Sequence, residues 1–320
     1  MTETFTIGLV GARGHTGREL LRLIDGHPHL QLVFAASREL AGSPVSDIAP
    51  APAGLLFENG TAANLASRQP DVCILALPNG ASTPFIDAFE MVSPQSVLVD
   101  LSADHRFGDG WAYGLPELYD EREGLYGAQR VANPGCYATA AQIAVHPSLG
   151  MLAGSPSVFG VSGYSGAGTT PSPKNDRERL HENLMPYALT DHIHEREISH
   201  HLGQRVCFTP HVHPAFSGIL ATVHLAFRTP QTTQGLLKTY QEVYEGHDLI
   251  KVQSNAPELK DGTDFPGVII GGFAVSEDGA HGVIVAAEDN LLKGAAVQAI
   301  QNINLALKLD LLTGILPGKR

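Results

Sequence analysis

Cysteine is scarce in this 320-residue chain, which has only Cys73, Cys136 and Cys207. An odd, widely spaced set excludes a disulfide framework and a cysteine-based zinc pattern, so reduced thiols are expected, one of them available for chemistry. Basic residues are also few: 21 Lys and Arg against 33 Asp and Glu leave a net charge of -12. Binding a phosphate backbone needs a clustered cationic excess, so nucleic acid is excluded as the main partner. An anionic small molecule is not excluded, because a few Arg or Lys side chains can converge locally against the whole-chain charge. No apolar run reaches the length of a membrane span, and the first ten residues lack a basic segment followed by an apolar core. A cytoplasmic protein without membrane association is expected. The histidine pairs His192/His194 and His211/His213 lack carboxylate or thiolate companions at metal-ligand spacing, so no metal is expected.

What the chain does have is length for two cores, with 34 Gly and 21 Pro to punctuate many short connections. Phe5–Val10 reads as an apolar strand, Thr16–Ile24 as an amphipathic helix stopped by His27-Pro28, and further strands follow at Gln31–Ala36, Val72–Leu77 and Ser96–Leu101. Strands alternating with helical stretches indicate a parallel sheet covered on both faces. Beyond about residue 150 the pattern changes to a Gly/Ser/Pro-rich stretch, a His-rich stretch and longer alternating strands at Gly218–Arg228, Gly267–Val275 and His281–Ala287. The expected fold class is therefore α/β: a Rossmann-type doubly wound dinucleotide-binding domain plus an α+β catalytic domain with a mixed sheet. Leu291–Leu312 has helical periodicity and no strand after it, so it is expected to return to the first domain. The expected division is residues 1–137 with 294–320 for the cofactor, and 138–293 for catalysis and oligomerisation.

Gly11, Gly14 and Gly17 fall where the first strand turns into the first helix. Glycines there let backbone N–H groups approach a pyrophosphate at a helix N-terminus, and they bring Arg13, His15 and Thr16 into the same turn. The second strand ends in Ala35-Ala36-Ser37-Arg38, with no acidic residue for a free ribose 2′-hydroxyl. Ser37 and Arg38 instead suit a 2′-phosphate, which favours NADP. Asn133-Pro-Gly-Cys136 precedes a helix-compatible run, Ala138–Val145, placing Cys136 near a helix N-terminus. The dipole and the N–H groups there favour a thiolate and also an oxyanion. Cys73 and Cys207 lie within strand patterns and read as packing residues.

The segments GARGHTG (11–17), ALPNG (76–80), DLSADHRF (100–107), NPGCYATA (133–140), GVSGYSGAG (160–168), HIHEREI (192–198), FTPHVHP (208–214) and DNLLKGAAVQAIQNINLAL (289–307) occur in order along nearly the whole chain. In these the sequence resembles the N-acetyl-γ-glutamyl-phosphate reductases of arginine biosynthesis, within the wider aspartate-semialdehyde and glyceraldehyde-3-phosphate dehydrogenase group. The resemblance implies NADPH-dependent reduction of N-acetyl-L-glutamyl 5-phosphate to the 5-semialdehyde with release of phosphate, through a thioester on Cys136. It implies Asn133 and the His192/His194 pair as further catalytic residues, with His211 and His213 as rival histidines. Leu77, Pro78, Asn79, Ser102 and Asn290 would join the cofactor site, and Arg106, Ser162, Gly163 and Glu197 the substrate site. A homodimer or homotetramer built on the second domain's sheet is also implied.

Three positions depart from the family pattern: Asn79 stands where His is common, Arg196 where Pro is common, and Ala215-Phe216-Ser217 where an Asn-Arg pair often precedes the glycine. Ser217 carries no charge, so Arg106, Arg177, Arg179, Arg196 or Lys174 would have to meet an anionic substrate. Competing readings are a reductase of carrier-protein-linked aminoadipyl or glutamyl phosphates, an aspartate-semialdehyde dehydrogenase, and a non-catalytic NADP-binding regulator. The acidic net charge disfavours an acidic carrier, and HIHEREI with GYSGAG disfavours the second. An inert Cys136 would mark the third.

Overall fold

The computed structural model of the protein describes residues 3–108, 110–118 and 124–316. The chain divides into two compact units, residues 1–134 with 295–320, and residues 135–294. The division runs between Pro134 and Gly135, so Cys136 opens the second unit, whereas the sequence pattern places the boundary after residue 137.

The first unit contains β1 (Phe5–Val10), β2 (Leu30–Ala36), β3 (Phe57–Glu58), β4 (Val72–Leu75), β5 (Val97–Asp100), β6 (Ala112–Tyr113) and β7 (Arg130–Ala132). They form one sheet in the order β3-β2-β1-β4-β5-β7-β6, with every pairing parallel. β4 and β5 are buried on both faces, which is why they read as unbroken apolar runs rather than alternating ones. Strand order reverses between β1 and β4. In doubly wound sheets that reversal opens a crevice at the strands' carboxyl ends, where ligands bind.

Helix α1 (His15–Asp25) buries Leu20, Leu21, Leu23 and Ile24 and stops at Gly26. Helices α2 (Ala62–Ala66) and α3 (Thr83–Val92) follow, and α7 (Val297–Ala306) returns from the far end of the chain to pack on α1 and β5. α7 is buried along its whole length, including Gln298, Gln301, Asn302 and Asn304. Those polar side chains are tolerated because they are bonded: Asn302 Nδ2 donates to Asn133 Oδ1 at 2.9 Å, Gln301 Nε2 donates to Glu117 at 3.1 Å, and Asn304 Oδ1 meets His27 Nε2 at 3.0 Å. The helical pattern expected over 291–312 is shorter in fact. It begins with a π-helical turn at Leu292–Ala296, and beyond Ala306 the chain leaves the helix through Lys308 at φ +62°.

The second unit contains β8 (Ser157–Gly163), β9 (Met185–Pro186), β10 (Cys207–His213), β11 (Ile219–Ala226), β12 (Ile250–Val252), β13 (Val268–Val275) and β14 (His281–Glu288), in a mixed sheet ordered β12-β13-β14-β11-β8-β10-β9. One face carries α4 (Cys136–Val145), which packs on β11, β14 and α5 (Ile193–His201), and α6 (Thr233–Val243), which packs on β12 and β13. Tyr137–Val145 are all buried, so α4 is a core helix with only Cys136 at its partly exposed start.

The carbonyls at the C-terminal end of a helix have no intrahelical partner and need one when buried. For α4 they are met by α6: Tyr240 Oη donates to the Ala144 carbonyl at 2.6 Å and Tyr244 Oη to that of Ile143 at 2.5 Å. Tyr240→Phe leaves the Ala144 carbonyl short of a donor in the core. We expect a loss of about 1–2 kcal/mol in urea unfolding with little change in activity at 25 °C, since the start of the helix is untouched.

Candidate active site

In the first unit the glycine turn is shaped by its own packing. Gly11 has φ +83°, and a Cβ there would lie 2.1 Å from the Ala76 carbonyl oxygen. Gly17 is closed in the same way, with a Cβ 2.6 Å from the Ala12 oxygen. Gly14 differs: its nearest neighbour would be the Gly11 oxygen at 3.8 Å, so nothing in the protein requires a glycine there. It precedes α1 with no side-chain cap, leaving backbone N–H groups and an open approach at a helix N-terminus, the environment a pyrophosphate needs. His15 opens α1, and burial followed by the charge of Arg18 lowers its pKa. The Gly11 and Ala12 N–H groups both donate to the Ala36 carbonyl at 3.1 Å, tying the turn to the end of β2. Ser37 and Arg38 therefore begin beside it. Arg38 is exposed, while Arg13 pairs with Glu39. The residues present fit a dinucleotide with a 2′-phosphate.

Other residues expected at the cofactor and substrate also make hydrogen bonds within the protein. Ser102 Oγ donates to Asp100 Oδ2 at 2.5 Å and is 2% exposed, which shapes the turn after β5. Asn79 Oδ1 accepts the Ala103 N–H at 3.0 Å, joining the loops that follow β4 and β5, while Leu77 lies against Gly11 and the adjacent Pro78 is exposed. Arg106 is 6% exposed, with Nε and Nη2 donating to the carbonyls of Asn133 and Leu101, both at 2.8 Å. Through these bonds it braces the segment leading into the cysteine. Asn133 Oδ1 is taken by Asn302, and its Nδ2 lies 3.4 Å from the Ala295 carbonyl. These bonds fix the Asn133 side chain in place.

In the second unit Cys136 is the first residue of α4, with Gly135 as an extended N-cap. The Gly135 N–H donates to Glu197 Oε1 at 2.8 Å, and Glu197 is fully buried. Glu197, expected at the substrate, therefore anchors the nucleophile turn. Gly294, inside the π-helical turn, touches the same place: a Cβ on it would lie 2.7 Å from Cys136 Cβ and 2.9 Å from Glu288 Oε1. Tyr137 reaches the other way, donating from Oη to the His211 carbonyl at 2.7 Å. Burial raises the phenols of Tyr137 and Tyr187 well above their ordinary range, and the Cys136 charge adds to both shifts. Cys73, by contrast, is fully buried, and burial pushes its thiol far up.

The histidines sort by geometry. His192 caps α5: its Nδ1 accepts the His194 N–H at 3.1 Å, and burial together with the Lys174 charge lowers its pKa to about 4. It is neutral near pH 7. The His194 ring lies 4.8 Å from that of His192 and 6.0 Å from that of Tyr137. His211 and His213 alternate with Phe208 and Val212 along β10, and Phe208 packs on Tyr137 at 4.9 Å. Side chains on a strand alternate faces, so these two histidines point away from α4, and His211 lies instead on Phe159 at 4.3 Å.

Ser162 and Gly163 are buried at the end of β8, where Ser162 Oγ donates to the Gly163 carbonyl at 3.0 Å. Asn290, expected at the cofactor, is turned to the second unit's interior: Oδ1 accepts the Gly218 N–H at 2.9 Å and Nδ2 donates to Ser165 Oγ at 3.0 Å. Ser217 Oγ donates to Asp289 at 3.1 Å, a neutral tie in place of a charge. Tyr187, Glu288 and Gly294 were not marked by the sequence. A glycine interrupting a helical pattern was the available signal for Gly294. Among the described residues no group of three or more His, Cys, Asp or Glu is placed to hold a metal ion, and no helix is long and apolar enough to cross a membrane.

Two tests follow from this geometry. Gly294→Ala puts a methyl group against the Cys136 Cβ, so we expect kcat/KM to fall at least about tenfold and Cys136 alkylation to slow, with at most about 1–3 kcal/mol lost in unfolding. A fully active variant would show that the contact is not limiting. NMR titration of His192 should give a midpoint near 4. Because its folded pKa lies below the ordinary value of 6.5, the unfolded chain binds more protons between these values, and stability should fall as pH drops from about 6.5 toward 4.

Residues 6–124 match the family described as semialdehyde dehydrogenase, NAD binding domain, and residues 136–290 the one described as semialdehyde dehydrogenase, dimerisation domain. The aspartate semialdehyde dehydrogenase II of Vibrio cholerae, solved with ASA, superposes with a TM-score of 0.77 at 15% identity over 96% of this chain and 99% of its own. The Candida albicans aspartate semialdehyde dehydrogenase, solved with NADP, gives 0.72 at 14% identity over 95% and 99%. These likenesses establish the fold. At the sequence level, the N-acetyl-gamma-glutamyl-phosphate reductase of Stenotrophomonas maltophilia is 52% identical over 98% of both chains, and that of Xanthomonas campestris is 53% identical over 97% of this chain and 98% of its own. With a nucleophile turn, a glycine-lined helix start and identity of this extent along its length, the chain belongs to the N-acetyl-gamma-glutamyl-phosphate reductase family.

Proposed function

We propose that the protein reduces N-acetyl-L-glutamyl 5-phosphate to N-acetyl-L-glutamate 5-semialdehyde, releasing phosphate, with NADPH as reductant and Cys136 as nucleophile. The observation that carries this reading is the start of α4, where a partly exposed cysteine opens an otherwise buried helix whose preceding amide is held by Glu197.

The Cys136 sulfur attacks the acyl carbon, the C–O bond to phosphate breaks, and a thioester remains on the protein. N–H groups in the first turn of α4 have no carbonyl four residues back and face the end of the helix where the oxyanion forms, so they stabilise it. Gly11, Gly14 and Gly17 with Ser37 and Arg38 would hold the cofactor's phosphates. When bound, NADPH supplies the hydride that takes the thioester carbonyl to the aldehyde level. His194 handles the proton as the hemithioacetal releases Cys136. His192 fixes the α5 start, with its Nδ1 taken by the His194 N–H and its ring neutral near pH 7, which leaves His194 as the histidine of the pair for this role.

Homo-oligomerisation belongs to the same reading. The sheet face opposite α4 exposes Phe159, 39% accessible, beside outward-facing Val161, Leu220 and Val283, an apolar surface suited to a second copy.

Cys136→Ser should abolish turnover in both directions, assayed as NADPH oxidation with the acyl phosphate and as phosphate-dependent NADP reduction with the semialdehyde. His194→Asn should lower kcat by about 10²–10⁴-fold with the thiol still alkylated by iodoacetamide. Appreciable turnover by the serine variant would overturn the mechanism, and higher turnover on aspartyl or carrier-linked acyl phosphates would overturn the substrate.

A further inference from the structure

We propose that Lys174 is the cation of the Cys136 site and that its ammonium group takes the anionic oxygens of the substrate, a phosphoryl or a carboxylate group. The proposal rests on the function given above and supplies the positive charge that Ser217 cannot.

The need for a cation follows from the surroundings of the nucleophile. Glu197 and Glu288, both fully buried, border the start of α4, so the turn itself presents carboxyl groups to an anionic substrate. Other basic side chains of the unit are less suited to hold that anion. Lys293 is fully buried, beyond the reach of a solute. Arg177, Arg179 and Arg196 are exposed.

Lys174 is half-buried, and its ammonium sits over the ring of Tyr187, 4.8 Å from the centroid. From there a chain of aromatic contacts leads to the cysteine. Tyr187 meets His192 at 5.5 Å, His192 meets His194 at 4.8 Å, and His194 meets Tyr137, the neighbour of Cys136, at 6.0 Å. The field of Lys174 reaches this cluster, since its charge contributes to lowering the His192 pKa.

Among the described residues Lys174 makes no hydrogen bond or ion pair; its ammonium rests on the tyrosine face, and its charge acts on His192. A cation held by a ring keeps its three N–H donors for a ligand. The backbone that presents it is preorganised. Asn175 Nδ2 donates to the Gly168 and Thr170 carbonyls at 2.9 and 2.8 Å, and its Oδ1 accepts the Ser172 N–H at 2.8 Å. A half-buried ammonium without a carboxylate, on a pinned loop beside the histidine pair, is built to receive an anion.

The test compares Lys174→Met, which keeps the aliphatic stem, with Lys174→Arg, which keeps the charge. Cys136 alkylation is followed by peptide mass spectrometry with iodoacetate, an anion, and iodoacetamide, its neutral analogue. The wild type should favour iodoacetate, Lys174→Met should lower the iodoacetate-to-iodoacetamide rate ratio at least about fivefold, and Lys174→Arg should stay within about twofold. In the oxidative assay Lys174→Met should raise one KM at least about tenfold, with Lys174→Arg restoring most of it. A rise for inorganic phosphate identifies the phosphoryl group as the ligand, and a rise for the semialdehyde identifies its carboxylate. An unchanged alkylation ratio, or two unchanged KM values, overturns the proposal. If the wild type shows no turnover, the function proposed above fails, and the alkylation ratio alone still decides whether Lys174 is an anion site.

Discussion

The amide of Gly135 is the point on which the catalytic unit depends. It lies one residue before a core helix, where a buried N–H without an acceptor would cost about 1–3 kcal/mol, and Glu197 of α5 supplies that acceptor. One bond thereby joins two helices and sets the direction in which Cys136 leaves the chain. Because α5 begins at His192 and also carries His194, the contact that orients the nucleophile brings the histidine pair along. Gly294 packs against the same turn, with room for no side chain beside the Cys136 Cβ.

The first unit is organised around polar groups buried in company. Asn302 on α7 bonds Asn133, and Arg106 grips the carbonyl of the same residue. Gly114 makes room, since a Cβ there would lie 2.0 Å from Asn302 Nδ2. Such networks are costly when half satisfied and rigid when complete. Here the completed network holds the segment that runs directly into Gly135-Cys136. Of the residues expected at substrate or cofactor, Arg106, Asn133 and Ser102 also bond the turns of this unit, and Asn290 bonds turns of the second. Motif residues can recur because a loop must keep its shape as well as because a ligand must be touched.

The alternation of its strands gives the second sheet two different faces. Along β10, Phe208 and Val212 face α4 while His211 and His213 face the opposite side, and along β8 Gly160 and Phe159 divide in the same way. Gly160 must be small because Tyr137 and Phe208 fill the space a Cβ would occupy. A single strand thus supports the nucleophile with one set of residues and offers an apolar surface with the other.

Much of this was legible in the linear chain. The first strand, the glycine turn, the start of α1, the helix opening at Cys136 and the long strands of the second unit all follow from local rules of periodicity, glycine freedom and helix capping. The sequence alone therefore determined the fold class and the place of the glycine turn, and it singled out Cys136 as the candidate nucleophile. Local rules cannot say which polar groups meet across a core. The bonds of Glu197 to the Gly135 amide, of Arg106 to the Asn133 carbonyl and of Asn290 to the Gly218 amide are of that kind. Gly294 lies within a helical pattern of the sequence although it packs on Cys136, and only strand parity shows that His211 and His213 point away from α4. The tertiary structure decided these points because burial and the pairing of hydrogen-bond donors with acceptors arise only once distant segments have come together.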